Sequence, residues 1–193
     1  MTQRRPLTQR KLAGGALLGA VASALTAAAL SGAASANATC VSVSGTTNGG
    51  GCSSTTGSVA LGLGQGATAT ADGPGNLAVA VGNPGFNNVY SPLADGAEVP
   101  TQAYAAGTFN SSFAIGDGTN AGSKGLANTA IALGDGNNAF SFGGYKNSAP
   151  PPLPSNFNTS IVVGKNSNAY AVGPAIKAAG TFGNGKTTSS TAD

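Results

Sequence analysis

Five short segments share one pattern: two bulky apolar residues flank a small or apolar one, and a glycine follows. They are Val59-Ala60-Leu61-Gly62, Val79-Ala80-Val81-Gly82, Phe113-Ala114-Ile115-Gly116, Ile131-Ala132-Leu133-Gly134 and Ile161-Val162-Val163-Gly164. Bulky residues at alternate positions point to one face of an extended strand. β-Branched and aromatic types suit that pleated surface. The glycine permits a positive φ where a side chain would clash, and the polar GDGNN or GKNSN after it is turn chemistry. In four copies an alanine stands five residues after the glycine, at Ala67, Ala121, Ala139 and Ala169, whereas the second copy has Asn87. Three copies reach a further glycine nine after the first, at Gly125, Gly143 and Gly173. A second strand with small residues at alternate places therefore follows each turn. One strand–turn–strand unit cannot hide its apolar side alone, but stacked units share a core. The predicted fold is all-β, a parallel β-solenoid. Its expected core is Val59, Leu61, Val79, Val81, Phe113, Ile115, Ile131, Leu133, Ile161 and Val163. Its expected turn glycines are Gly62, Gly82, Gly116, Gly134 and Gly164.

The spacings between those glycines are 20, 34, 18 and 30 residues, so the units are irregular. The excess falls in two proline-rich stretches, residues 83–104 with Pro84, Pro92 and Pro100, and residues 145–157 with Pro150, Pro151, Pro152 and Pro154. Proline cannot donate to a ladder, so these stretches are expected to leave the sheet and cross the surface. Residues 57–182 form the expected repeat domain, 37–56 an arm and 183–193 a flexible tail. The competing reading is a glycine-rich disordered chain. Alternation that returns in register with a glycine argues against it, because disorder places no demand on which residue follows a strand.

The N-terminus reads as an export signal. Arg4, Arg5, Arg10 and Lys11 precede an Ala- and Leu-rich run from Leu12 to about Leu30, and Ala34-Ser35-Ala36 supplies a small-residue cleavage site. Cleavage is expected after Ala36, with Ala38 as the alternative, by the general or the twin-arginine route. A membrane anchor is the competing reading, weakened by the Ala and Gly content of the run. After cleavage no integral membrane segment is expected, and the protein is expected to be secreted or extracellular, either released or associated with a cell surface. The remaining chain keeps five lysines against six carboxylates, a net charge of minus one, and has no Arg, His or Trp. The lysines are scattered singly, so nucleic-acid binding is not expected. Cys40 and Cys52 flank a triglycine run and fit a structural disulfide in an oxidising compartment.

The unit of alternating apolar residues, glycine, later alanine and later glycine resembles the head repeats of YadA-type trimeric autotransporter adhesins. The matching pieces are residues 57–71, 77–82, 111–125, 129–143 and 159–173. The resemblance implies a left-handed parallel β-roll of repeats of about fourteen residues, assembled as a trimer. The proline loops depart from that pattern, and neither a heptad-patterned stalk nor a C-terminal membrane barrel is recognised in these residues. Trimer assembly has a physical motive too, since Ala60, Ala80, Ala114 and Ala132 would let a neighbour's backbone approach closely. Phe140, Phe142, Tyr170 and Val172 alternate with small residues on the second strand, facing either outward or the chain's own proline loops.

Motifs for chemistry are few. Gly180 to Thr187 satisfies the phosphate-loop pattern G-x-x-x-x-G-K-T, but six Ser/Thr-rich residues cannot supply the helix that such a loop needs. Asp117 and Asp135 stand at equivalent turns. They lack the nine-residue calcium repeat, and the fifth unit has Lys165 there, so they read as solvated turn residues. Without histidine no Ser-His-Asp or Cys-His site forms. Sequons occur at Asn110 and Asn158. No metal or cofactor is expected. The sequence points to a non-enzymatic binding protein, a homo-oligomer, with a host, matrix or envelope surface as partner. A self-assembling envelope component without external ligand is one alternative. A carbohydrate-active β-helix enzyme, with Asp117 and Asp135 as its carboxylates, is another.

Overall fold

The computed structural model describes residues 39–86, 98–143, 157–173 and 176–191, within a compact unit from Ala33 to Asp193. The expected export signal, Pro92, and the proline run Pro150, Pro151, Pro152 and Pro154 lie outside the described residues. Strands β1 (Thr39–Val43), β2 (Thr46–Asn48) and β3 (Cys52–Ser54) open the fold. β4 (Val59–Leu63) and β5 (Thr68–Asp72) form the first complete coil. The second coil is β6 (Leu77–Val81), a small inserted pair β7 (Gly85–Phe86) and β8 (Glu98–Val99), then β9 (Gln102–Thr108). Four further coils follow: β10 (Ser111–Ile115) with β11 (Asn120–Leu126), β12 (Thr129–Leu133) with β13 (Asn138–Gly143), β14 (Thr159–Val163) with β15 (Asn168–Gly173), and β16 (Ala178–Phe182) with β17 (Thr187–Thr191).

The strands stack in sequence order into two sheets, β16-β14-β12-β10-β6-β4-β1-β2 and β17-β15-β13-β11-β9-β5-β3. From β4 onward every pairing in these two sheets is parallel and in register, as in Phe113 opposite Ile131 and Ile131 opposite Ile161. The chain is thus all-β among its described residues, with the stacking of a β-solenoid. Its coil is eighteen residues, not fourteen: Val59 sits opposite Leu77, and Ser111 opposite Thr129. A coil without an insertion is two half-turns of about nine residues, and in three copies the second-sheet strand reaches the later glycine seen in the sequence.

The alternation was read correctly as strands, but its inside and outside are reversed. Val59, Leu61, Val79, Val81, Phe113, Ile115, Ile131, Leu133, Ile161 and Val163 are all half-buried or exposed, and none belongs to the buried core. The interior is made instead by the small residues between them, including Ala60, Ala78, Ala80, Ala114, Ala130 and Ala132, with Ala69, Ala71, Ala105, Ala139, Ala169 and Ala171 from the facing sheet. The reason is distance. Ser112 Oγ lies 2.7 Å from Ser123 Oγ across the interior, Ser160 Oγ donates to Ala169 O at 2.7 Å, and Thr181 Oγ1 donates to Asn168 O at 2.7 Å. Side chains with a single Cβ arm already bridge the two sheets, so leucine or isoleucine has no room between them. Val162 is the largest fully buried side chain among the described residues.

Further expectations change. Gly62 is not a turn glycine. It lies within β4 opposite Ala80, and a Cβ there would meet Cys40 Sγ at 2.5 Å and Cys52 Sγ at 3.2 Å. It makes room for the Cys40–Cys52 disulfide, whose Cα atoms are 5.4 Å apart. The turn position belongs to Gly64, opposite whose coil stands Gly82, and the column continues through Gly116, Gly134, Gly164 and Gly183, all with positive φ. Residues 39–54, in the segment expected as an arm, contribute strands to the sheets: β1 lies antiparallel on β4, and β3 parallel to β5, so they cover the start of the solenoid. The segment expected as a tail contributes β17, paired to β15. Gln102–Tyr104, placed by sequence in a proline loop, opens β9 in the second sheet.

Candidate functional site

Reversal of the alternation turns the bulky residues into a surface. On the first sheet Leu61, Val79, Phe113, Ile131 and Ile161 form one outward row along the stack. Leu63, Val81, Ile115, Leu133, Val163 and Phe182 form the next row. Val59 and Leu77 extend into a third row completed by Ser111, Thr129 and Thr159. None of these residues is charged. At a rung spacing of about 4.8 Å the six strands span roughly 24 Å, and the three rows about 14 Å across. A largely apolar, charge-free face of that size is within the range that is often functional on a small protein.

The two corners between the sheets differ. At the first, after the turn glycines, side chains cap backbone N–H groups of the preceding coil. Asn83 Oδ1 accepts from Gln65 N at 3.1 Å, Asp117 Oδ1 from Asn83 N at 2.8 Å, and Asn184 Oδ1 from Lys165 N at 3.0 Å. Asp135 Oδ1 lies 3.4 Å from Asp117 N, while its Oδ2 meets Lys165 Nζ at 3.0 Å. That hydrogen bond from Lys165 holds the Asp135 carboxyl below its ordinary pKa, so the pair adds stability above the usual carboxylate range and loses it on acidification. Both side chains are exposed, which keeps the contribution small. Glu98, Asp117, Asp135 and Lys165 line a cleft of about 390 Å³ with Pro84, Gly85 and Asn166.

The second corner holds a buried asparagine ladder. Asn110 N donates to Asn76 Oδ1 at 2.7 Å, Asn128 N to Asn110 Oδ1 at 2.9 Å, Asn158 N to Asn128 Oδ1 at 2.8 Å, and Lys177 N to Asn158 Oδ1 at 2.9 Å. Sequence reading missed this ladder; its signal was the Asn that precedes Ser or Thr at the head of three first-sheet strands. The sequon residues Asn110 and Asn158 belong to it. Asn110 and Asn158 are fully buried with their amides donating to carbonyls, so the folded chain offers neither for glycosylation. The chain matches no family model, no curated protein and no solved structure. Gly180 to Thr187, the phosphate-loop look-alike, runs from β16 through a turn into β17, with no helix.

Gly75, Phe109, Ala127 and Phe157 immediately precede the ladder asparagines, and Gly57 before Ser58 and Ile176 before Lys177 hold the same position in the first and last coils. Gly57 and Gly75 have φ of +77° and +72°, the left-handed backbone that glycine accepts freely. Phe109, Ala127 and Phe157 hold the same conformation at +55°, +55° and +65°. Left-handed backbone costs an L-residue about 1–2 kcal/mol, and bulky side chains there are outliers. The aromatic side chains gain little burial in return, Phe109 being 66 % and Phe157 58 % exposed. Phe157→Gly is accordingly expected to leave the fold intact and raise its stability by up to about 1 kcal/mol. Urea unfolding followed by circular dichroism measures this, and a clear loss of stability would refute the strain assignment.

Proposed function

We propose that this chain is an exported, non-enzymatic surface or released protein, similar in plan to the adhesin heads its repeats resemble, that assembles as a trimer through the outer face of its first sheet. The observation that carries the reading is that charge-free face of aliphatic and aromatic rows. A solvent-exposed face of this kind is costly in water, and covering it with the same face of other copies removes it without a second protein. The second sheet and the corners then remain outside for contact with a matrix or envelope surface. An enzyme reading draws less support: the three carboxylates of the cleft include two, Asp117 and Asp135, already engaged by backbone N–H groups and Lys165.

The test is a mass measurement on the unit Ala33–Asp193 by sedimentation equilibrium. Three copies are expected for the wild-type sequence and one for Phe113→Gln/Ile131→Gln, with the strand spectrum unchanged, because both side chains face away from the interior. A wild-type monomer at micromolar concentration would overturn the assembly.

A further inference from the structure

The ridge at the second corner, with left-handed backbone at Phe109 and Phe157, points to a contact that neither the sheet faces nor the ladder explains. Phe109, Phe157 and Ile176 occupy one structural column, and their exposures of 66 %, 58 % and 73 % are among the highest of the large apolar residues described. The column accepts glycine at Gly57 and Gly75, so the fold itself does not ask for bulk there. A Cβ on Gly75 would strike the Phe109 ring, so that ring lies across the glycine of the coil before it. Backbone strain kept in exchange for exposed rings is a reason to look for a partner that takes those rings.

We propose that this ridge is a membrane-contact edge, seating Phe109, Phe157 and Ile176 in the interfacial layer of an anionic lipid surface. Shape favours lipid over a flat protein partner. The side chains stand on a convex corner, where only a deformable or grooved partner can enclose them. Charge favours an anionic one. Lys124 is exposed on β11 where it enters this corner, and Lys177 adjoins Ile176. Among the described carboxylates Glu98, Asp117 and Asp135 line the cleft at the opposite corner, and Asp72 alone stands at this one, a coil before Phe109. The apolar side chains supply burial in the interfacial layer, and each nearby lysine adds about 1 kcal/mol of attraction to anionic headgroups.

The experiment is co-sedimentation of the unit Ala33–Asp193 with vesicles of phosphatidylcholine alone and vesicles that also carry phosphatidylglycerol. Binding is expected to the anionic vesicles, to weaken as salt is raised, and to fall roughly tenfold or more in Phe109→Asn/Phe157→Asn. Asparagine tolerates left-handed backbone, so this variant keeps the fold, which its strand spectrum checks. Wild-type protein that binds neither vesicle, or a folded double variant that binds as well as wild type, overturns the proposal. A double variant that changes the mass of the assembly but not vesicle binding assigns the ridge to contact between copies and overturns it equally. The proposal is separate from trimer assembly, since Phe113→Gln/Ile131→Gln leaves the ridge in place.

Discussion

Gly134→Ala is expected to abolish cooperative folding, or to leave a protein that melts far below the wild type. Gly134 has φ +101°, and a Cβ there would run into the carbonyl oxygen of Gly164 in the next coil. That carbonyl cannot swing aside. It accepts from Asn137 Nδ2 at 2.7 Å, while Gly164 N donates to Leu133 O at 3.1 Å. Backbone strain of about 1–2 kcal/mol thus adds to a steric clash against a fixed neighbour. A total of roughly 4 kcal/mol or more is a large part of the stability of an ordinary domain. Gly185→Ala is the control: its φ is +65°, but nothing lies within 4 Å of the added Cβ, so only backbone strain is introduced. Thermal and urea unfolding of both variants decide the matter. If Gly134→Ala melts no lower than Gly185→Ala, the stacked-glycine account fails.

Asn128→Ala should be nearly as damaging. Asn128 is fully buried; its Oδ1 accepts from Asn158 N at 2.8 Å and its Nδ2 donates to Lys124 O at 2.7 Å. Alanine leaves the buried Asn158 N–H without its acceptor, at about 1–3 kcal/mol, and takes the Asn128 amide away from the Lys124 carbonyl, a bond worth about 1 kcal/mol, so a loss on the order of 2–4 kcal/mol is expected. Asn184→Ala removes a comparable bond, Asn184 Oδ1 to Lys165 N, at an exposed turn where water substitutes. Its cost should be below about 1 kcal/mol. Equal losses for the two variants would show that burial of the ladder is not what gives it weight.

How far the sequence disclosed this architecture depends on the property asked of it. Strand positions were legible because alternation at Phe113, Ile115, Ile131 and Leu133 has a period that only extended backbone gives. The disulfide was legible from Cys40, Cys52 and the flexible residues between them. Which side of each strand faces in was not legible, because alternation shows that two faces differ and is silent on the gap between sheets. That gap is set by hydroxyl arms such as Ser112 and Ser123, which meet at 2.7 Å only after folding. Gly62 misled for a related reason: a glycine that makes space for sulfur looks, in sequence, like one that turns the chain. Coil length was hidden by the insertions. The ridge at Phe109 and Phe157 was invisible, since a phenylalanine before an asparagine gives no hint of left-handed backbone.

The same insertions carry a lesson about change. Ser111 sits opposite Leu77 although 34 residues separate them, 16 more than a plain coil, and Thr159 opposite Thr129 after 30, or 12 more. Neither excess disturbs the pairing of the strands on either side. Loop length and sheet alignment are therefore decoupled in this molecule: new sequence can enter at a corner and diversify while the glycine and asparagine columns hold the frame. A chain built this way can acquire or exchange an outward loop in one step, without having to rediscover how to fold.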